Sequence, residues 1–277
     1  MTPEELKRLA GQLRDLSQII AAEIPDSISP NFASQIRKTL EDAFERLREA
    51  TKNLDPIKQP GYVFDPSNPS LVGRFVGIAL IAQPRTPMVN IGKFYGSGVY
   101  ALYYRGKFPA YRRVSGREHP IYVGKADPAD PTSKTATDQG DRLSKRLDEH
   151  RRNIERAQGS LRIEDFEYRA LVVQSGWQVS AEDYLIHLFK PIWNNEIGIC
   201  YGFGKHGDSA DTRANKRSPW DVLHPGRKWA GAMKLDDAKS EKQILEEINK
   251  HLLQNPPLGS VDEILKRFLE EMSTVSN

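Results

Sequence analysis

The stretch 98-GVYALYY-104, followed by 120-PIYVGKA-126, decides how the rest of the chain is read. The first is an unbroken run of β-branched and aromatic residues, which predicts a strand. The second predicts a strand over Pro120–Val123, ending at Gly124-Lys125. A polar, basic connection with Arg112, Arg113 and Arg117 separates them, so the two should pair as an antiparallel hairpin. Downstream, a polar loop spans 127–140. Asp141 then stands as N-cap of a helix with the apolar stripe Leu143, Leu147 and Ile154. Phe166–Val173 reads as a third strand. Ser180 with Asp183 resembles a capping box opening a helix over 181–190, which Pro191 ends.

Upstream, residues 54–97 are rich in Pro, Gly and Asn. They read as a wrapping segment in which Phe75–Ala82 forms one strand or short helix. Residues 1–53 predict a helical hairpin. Thr2, Pro3 and Glu5 give a helix start, and Leu6, Leu9, Leu13, Leu16 and Ile20 recur at helical spacing up to Pro25. After Ser29-Pro30 the stripe is Phe32, Ile36, Leu40, Phe44 and Leu47. These stripes suit either packing within the protein or a dimer partner. Residues 200–234 are glycine-rich and basic, with GFGKHG read as a flexible loop. Two helices close the chain, capped by Ser240 with Gln243 and by Ser260 with Glu263. The expected class is α+β: a small, mostly antiparallel sheet flanked by helices. Three regions are expected: the hairpin 1–53, a central domain 54–234 and a helical tail 235–277.

The 277 residues are 38% hydrophobic and 28% charged, a globular composition. No apolar run approaches the ~18 residues of a membrane span, and the charged, amphipathic start does not read as a secretory signal. The single cysteine, Cys200, excludes an intramolecular disulfide framework and a cysteine zinc cluster. A reducing, cytoplasmic setting is expected. The net charge of +3 conceals a pattern: residues 100–160 carry +5, 161–199 carry −3 and 200–234 carry +4. Two basic segments flanking an acidic one suit a polyanion, with nucleic acid the obvious candidate.

The β-β-α-β-α order brings several polar groups together. Tyr100 and Tyr122 lie on adjacent strands. Arg142, Arg146 and His150 recur every four residues, predicting one cationic helix stripe. Glu182 falls in the first turn of the next expected helix, and Asn194 lies just past its end. Taken singly, each has an ordinary structural explanation. P-loop, dinucleotide, H-E-x-x-H and G-x-S-x-G motifs are absent.

As an ordered set, these residues resemble the GIY-YIG nuclease superfamily. GVYALYY and PIYVGKA match its two-part signature, with Val99 and Val123 where Ile is usual. LSKRLDEHRRNI supplies Arg146 and His150, and AEDYLIHLFKPIWN supplies Glu182 and Asn194. YGFGKHG and SPWDVLHPGRKWA extend the likeness toward the type II restriction endonucleases, over roughly residues 60–232. The resemblance implies a GIY-YIG-type sheet and Mg²⁺-dependent phosphodiester hydrolysis, with Mn²⁺ as another usable ion.

In that chemistry Glu182 would be the metal ligand, Arg146 would hold a phosphate oxygen, and Asn194 would orient the site. Tyr100 would be the candidate general base. A phenol of pKa ~10 needs help near neutrality, and His150, Tyr122 or Lys125 could each supply it. For DNA contact the sequence offers Arg105, Lys107, Arg112, Arg113 and Arg117. The distal segment adds Lys205, His206, Arg213, Lys216, Arg217, His224, Arg227 and Lys228. So many arginines suit a G·C-rich target, and enzymes of the branch it resembles include ones that cut CCGCGG. A palindrome in double-stranded DNA is most simply read by a homodimer, formed through the hairpin or elsewhere. The expected functional counterpart is a protecting DNA methyltransferase.

Overall fold

The computed structural model describes residues 1–25, 28–57, 65–157, 159–204, 217–231 and 236–274. The chain divides into two compact units, Met1–Gly61 and Tyr62–Asn277.

The second unit is built on a four-stranded antiparallel sheet, order β1-β4-β2-β3. The strands are β1 (Thr86–Pro87), β2 (Gly98–Tyr104), β3 (Tyr122–Ala126) and β4 (Phe166–Val172). The expected hairpin is present, with Tyr100 opposite Gly124. All of β2 is buried, because β4 and β3 flank it and helices cover both faces. That burial explains why GVYALYY is continuously apolar rather than alternating.

Side chains alternate between two cores. Tyr100, Leu102, Tyr104, Ala126, Phe166 and Tyr168 face one side, packing with Leu143, Leu147 and Ile154 of α4 (Arg142–Arg156). Val99, Ala101, Tyr103 and Val123 face the other. They pack against α3 (Pro69–Ile81), α5 (Trp177–Phe189) and α9 (Val261–Thr274). Gly98 begins β2 so close to β4 that a Cβ there would lie 2.0 Å from the Leu171 carbonyl oxygen, so only glycine fits.

Several expectations are corrected. Of the strand or short helix expected at Phe75–Ala82 the structure has the helix, but a longer one: α3 runs on to Ile81, with Ala82 as its C-cap, from a start at Pro69 and Asn68, whose side chain accepts from Ser70 N–H. α5 begins at Trp177, not 181, after left-handed Gly176, whose N–H is bound by the Gln178 side chain at 2.8 Å. Glu182 therefore sits in the second turn. The Asp141 side chain makes no capping bond to α4 and instead pairs with Lys145 at 2.7 Å. The two helices of the expected tail pack into the cores of the central sheet. Ile244, Ile248 and Leu252 of α8 (Glu241–Gln254) enter the first core, and Ile264 and Phe268 of α9 the second. Their expected serine caps are formed.

The first unit contains α1 (Pro3–Ala22) and α2 (Pro30–Leu54), with the capping box on Thr2 and Glu5 complete. α1 buries no residue, and the apolar stripes stay open, with Leu16 56% and Phe44 64% exposed. No described helix is long and apolar enough to cross a membrane.

Candidate active site

Strand β3 is an edge, and the site is assembled around it. From the α4 side come Tyr100, Tyr122, Arg146 and His150. The Tyr100 hydroxyl lies 2.6 Å from His150 Nε2, both residues fully buried. Burial, then the neighbouring Tyr122, pushes the Tyr100 pKa well above its ordinary value. Tyr122 is raised as well, chiefly by burial. Phe203 stacks on His150 at 4.5 Å, with Tyr122 edge-on to both rings.

The expected cationic stripe is thus corrected. Arg142 is at the surface, Arg146 is half-buried, and His150 is sunk into an aromatic cage because α4 packs that face on the sheet. Arg146 donates to Glu149 Oε2 (2.8 Å) and to the Gly204 carbonyl (3.3 Å), and its charge acts on both tyrosine hydroxyls.

Glu182 approaches from α5. It has no hydrogen bond or ion pair among the described residues. Burial raises its carboxyl pKa to about 7 against the opposing Lys125 charge, with Glu196, Asp183 and Asp127 adding to the rise. A half-buried carboxylate short of partners fits a hard divalent cation. Among the described residues no three His, Cys, Asp or Glu side chains cluster as a metal cage, so Glu182 would act with water and substrate oxygens.

Asn194 closes the open edge of β3. Its Oδ1 accepts from Val123 N–H at 3.0 Å and its Nδ2 donates to the Val123 carbonyl at 2.9 Å. The amide thus stands in for a neighbouring strand and fixes the segment carrying Tyr122, Gly124 and Lys125. Lys125 Nζ bonds Asp127 Oδ2 at 2.6 Å. A cleft of about 360 Å³ opens beside it, lined by Lys125, Asp127, Arg142, Lys145, Arg146 and Glu149.

The expected DNA contacts separate into four groups. Arg105, Lys107, Arg112, Arg113, Arg117 and Lys228 are exposed, with Arg112 and Arg113 beside a groove of about 380 Å³ shared with α8. Arg217 is partly exposed and forks onto Asp237 at 2.7 and 2.9 Å. Lys205, His206, Arg213 and Lys216 lie outside the described residues.

His224 and Arg227 are corrections, since both are buried. His224 bonds Tyr111 (2.5 Å) and Ser160 (2.8 Å), and burial lowers its pKa to about 3. Arg227 grips Asp221 with two 2.6 Å bonds and donates to the Gly202 and Phe203 carbonyls. The start of GFGKHG, Gly202–Gly204, is therefore a pinned lid over His150 rather than a loose loop. Sequence reading missed Phe203, Asp221, Asp127 and Gln178. An aromatic between two glycines, and an Asp directly after GKA, were the available signals.

A family model described as the Eco29kI GIY-YIG domain matches residues 92–252, more than half of the 277-residue chain. No curated protein matches the chain. The matched span holds Tyr100, Tyr122, Arg146, His150, Glu182 and Asn194, and its sheet and helices are those of an α+β GIY-YIG nuclease. The chain belongs to the Eco29kI GIY-YIG family, a type II restriction endonuclease family.

Proposed function

We propose that this protein is a site-specific endonuclease that hydrolyses double-stranded DNA at a palindromic, G·C-rich sequence, using Mg²⁺ or a similar divalent cation. The observation that carries the reading is the buried 2.6 Å contact between Tyr100 and His150, with the charges of Arg146 and of Glu182, which has no hydrogen bond or ion pair among the described residues, both acting on that phenol.

Burial keeps Tyr100 neutral at rest. With Nε2 unprotonated, His150 accepts the Tyr100 proton while the phenol oxygen takes one from the attacking water. The new O–P bond forms as the P–O3′ bond breaks. This relay makes Tyr100 effective without lowering its resting pKa. Arg146 faces charge growing on a non-bridging oxygen, and Lys125 adds a second positive group. Glu182 would hold the cation, which when bound supplies charge stabilisation at the leaving oxygen. Asn194 acts one step back, through the β3 backbone.

Among the described residues, Arg105, Lys107, Arg112, Arg113, Arg117 and Lys228 are the exposed candidates for DNA contact. A homodimer would match a palindrome, and the open apolar faces of α1 and α2 offer it a surface. Sedimentation of the full chain tests the dimer. A cytoplasmic setting and a protecting methyltransferase complete the proposal. The catalytic assignment is tested with Glu182→Ala and Tyr100→Phe on plasmid DNA with Mg²⁺. Each should keep DNA binding and lose cleavage. Cleavage at the wild-type rate by either would overturn that residue's role.

A further inference from the structure

Asp127 directly follows GKA, and three elements converge on it. Its Oδ2 accepts from Lys125 Nζ at 2.6 Å and its Oδ1 from Gln178 Nε2 at 3.1 Å. Its carbonyl oxygen accepts from Arg142 Nε at 3.1 Å. Gln178 is 4% exposed, and its own Oε1 is held by Gly176 N–H at 2.8 Å. It lies one helical turn before Glu182 on α5.

An exposed Lys–Asp pair standing alone is worth little, because two flexible side chains must be ordered to form it. Here the order is imposed from outside the pair. A buried amide fixes the Asp127 carboxylate, and the carboxylate fixes the ammonium of an otherwise flexible lysine. Arg142 ties the same residue to α4, so β3, α4 and α5 are joined at one point on the cleft.

We propose that Asp127, braced by Gln178, is a positioning residue that sets the Lys125 ammonium in the cleft between β3 and α4 where the scissile phosphate lies. This rests on the phosphodiester-hydrolysis reading above. Asp127 touches neither substrate nor cation. Its effect reaches the reaction only through Lys125, as expected for a residue supporting a preorganised site.

The test is a double-mutant cycle on the full-length protein. Asp127→Ala, Lys125→Met and the double variant are compared on plasmid DNA that the wild type cleaves, with Mg²⁺ and protein in excess. Binding is read with Ca²⁺ replacing Mg²⁺, and folding by thermal melting. Asp127→Ala should slow single-turnover cleavage by about 10- to 100-fold. In the Lys125→Met background its further effect should stay within about threefold. Binding should change by no more than about threefold. Gln178→Met should give a smaller slowing with the same dependence on Lys125, and serves if Asp127→Ala fails to fold.

A wild-type rate in Asp127→Ala overturns the proposal, as does an equal slowing with and without Lys125. Lys125→Met cleaving like wild type would instead remove the role of Lys125 itself, and the positioning role with it.

Discussion

Gly124→Ala probes the logic of the two-strand signature most sharply. Gly124 pairs with Tyr100 across β2 and β3, and the Tyr100 phenol lies over its Cα. A methyl group there would stand 2.4 Å from the Tyr100 hydroxyl oxygen and 2.6 Å from Cζ, about 1 Å short of ordinary contact. Backbone pairing fixes Gly124, so the ring must give way, and the 2.6 Å bond to His150 lengthens past useful range. A 1 Å misplacement of a reacting group costs about 100-fold in rate, or about 2.7 kcal/mol of barrier. Crowding the core costs about 1–3 kcal/mol of stability, so the protein should stay folded. Single-turnover cleavage should therefore fall about 100-fold while a cooperative melt and DNA binding in Ca²⁺ persist. Combining Gly124→Ala with Tyr100→Phe should add little beyond the larger single loss, because both act on one hydroxyl. A folded Gly124→Ala protein cleaving at the wild-type rate would refute the idea that this glycine exists to seat the phenol.

Asn194→Ala should destabilise the protein by about 2–4 kcal/mol in a denaturant melt, since two buried backbone groups of Val123 lose their partners. Glu182 binds its proton more tightly in the fold, at about 7, than at its ordinary value of 4.5. The stability from that proton is complete below 4.5 and lost as pH rises through 7. Without divalent cation, Glu182→Gln should melt like wild type near pH 4.5 and be more stable by on the order of 2 kcal/mol near pH 8.5. Wild-type cleavage should climb as pH passes 7, because the cation needs the ionised carboxylate. Arg227→Ala should cost about 3–5 kcal/mol by leaving Asp221 buried and unpaired. Arg112→Ala and Arg113→Ala should leave the melting temperature unchanged, and each should reduce the salt dependence of DNA binding by about one ion.

The strand pair, the third strand and most helix starts were legible because their information is local. Thr2, Ser29, Ser240 and Ser260 each cap within their own turn. The start of α5 was not, because a left-handed glycine and the Gln178 side chain open it instead of a serine. At the site, spacing placed Arg146 and His150 on one helix face. It could not reveal that the face descends into the sheet, turning one expected cation into a buried partner of Tyr100. His224 and Arg227 look like DNA contacts in a basic segment. Their partners Tyr111 and Asp221 become apparent only when the core closes around them.

Incubating the protein with a long DNA of known sequence, with Mg²⁺ or with EDTA, tests the central claim most directly. The account predicts discrete fragments with Mg²⁺ whose ends share one palindromic, G·C-rich sequence, and intact DNA with EDTA. DNA that stays intact with Mg²⁺ while the protein binds it, or fragments that form equally in EDTA, would contradict it.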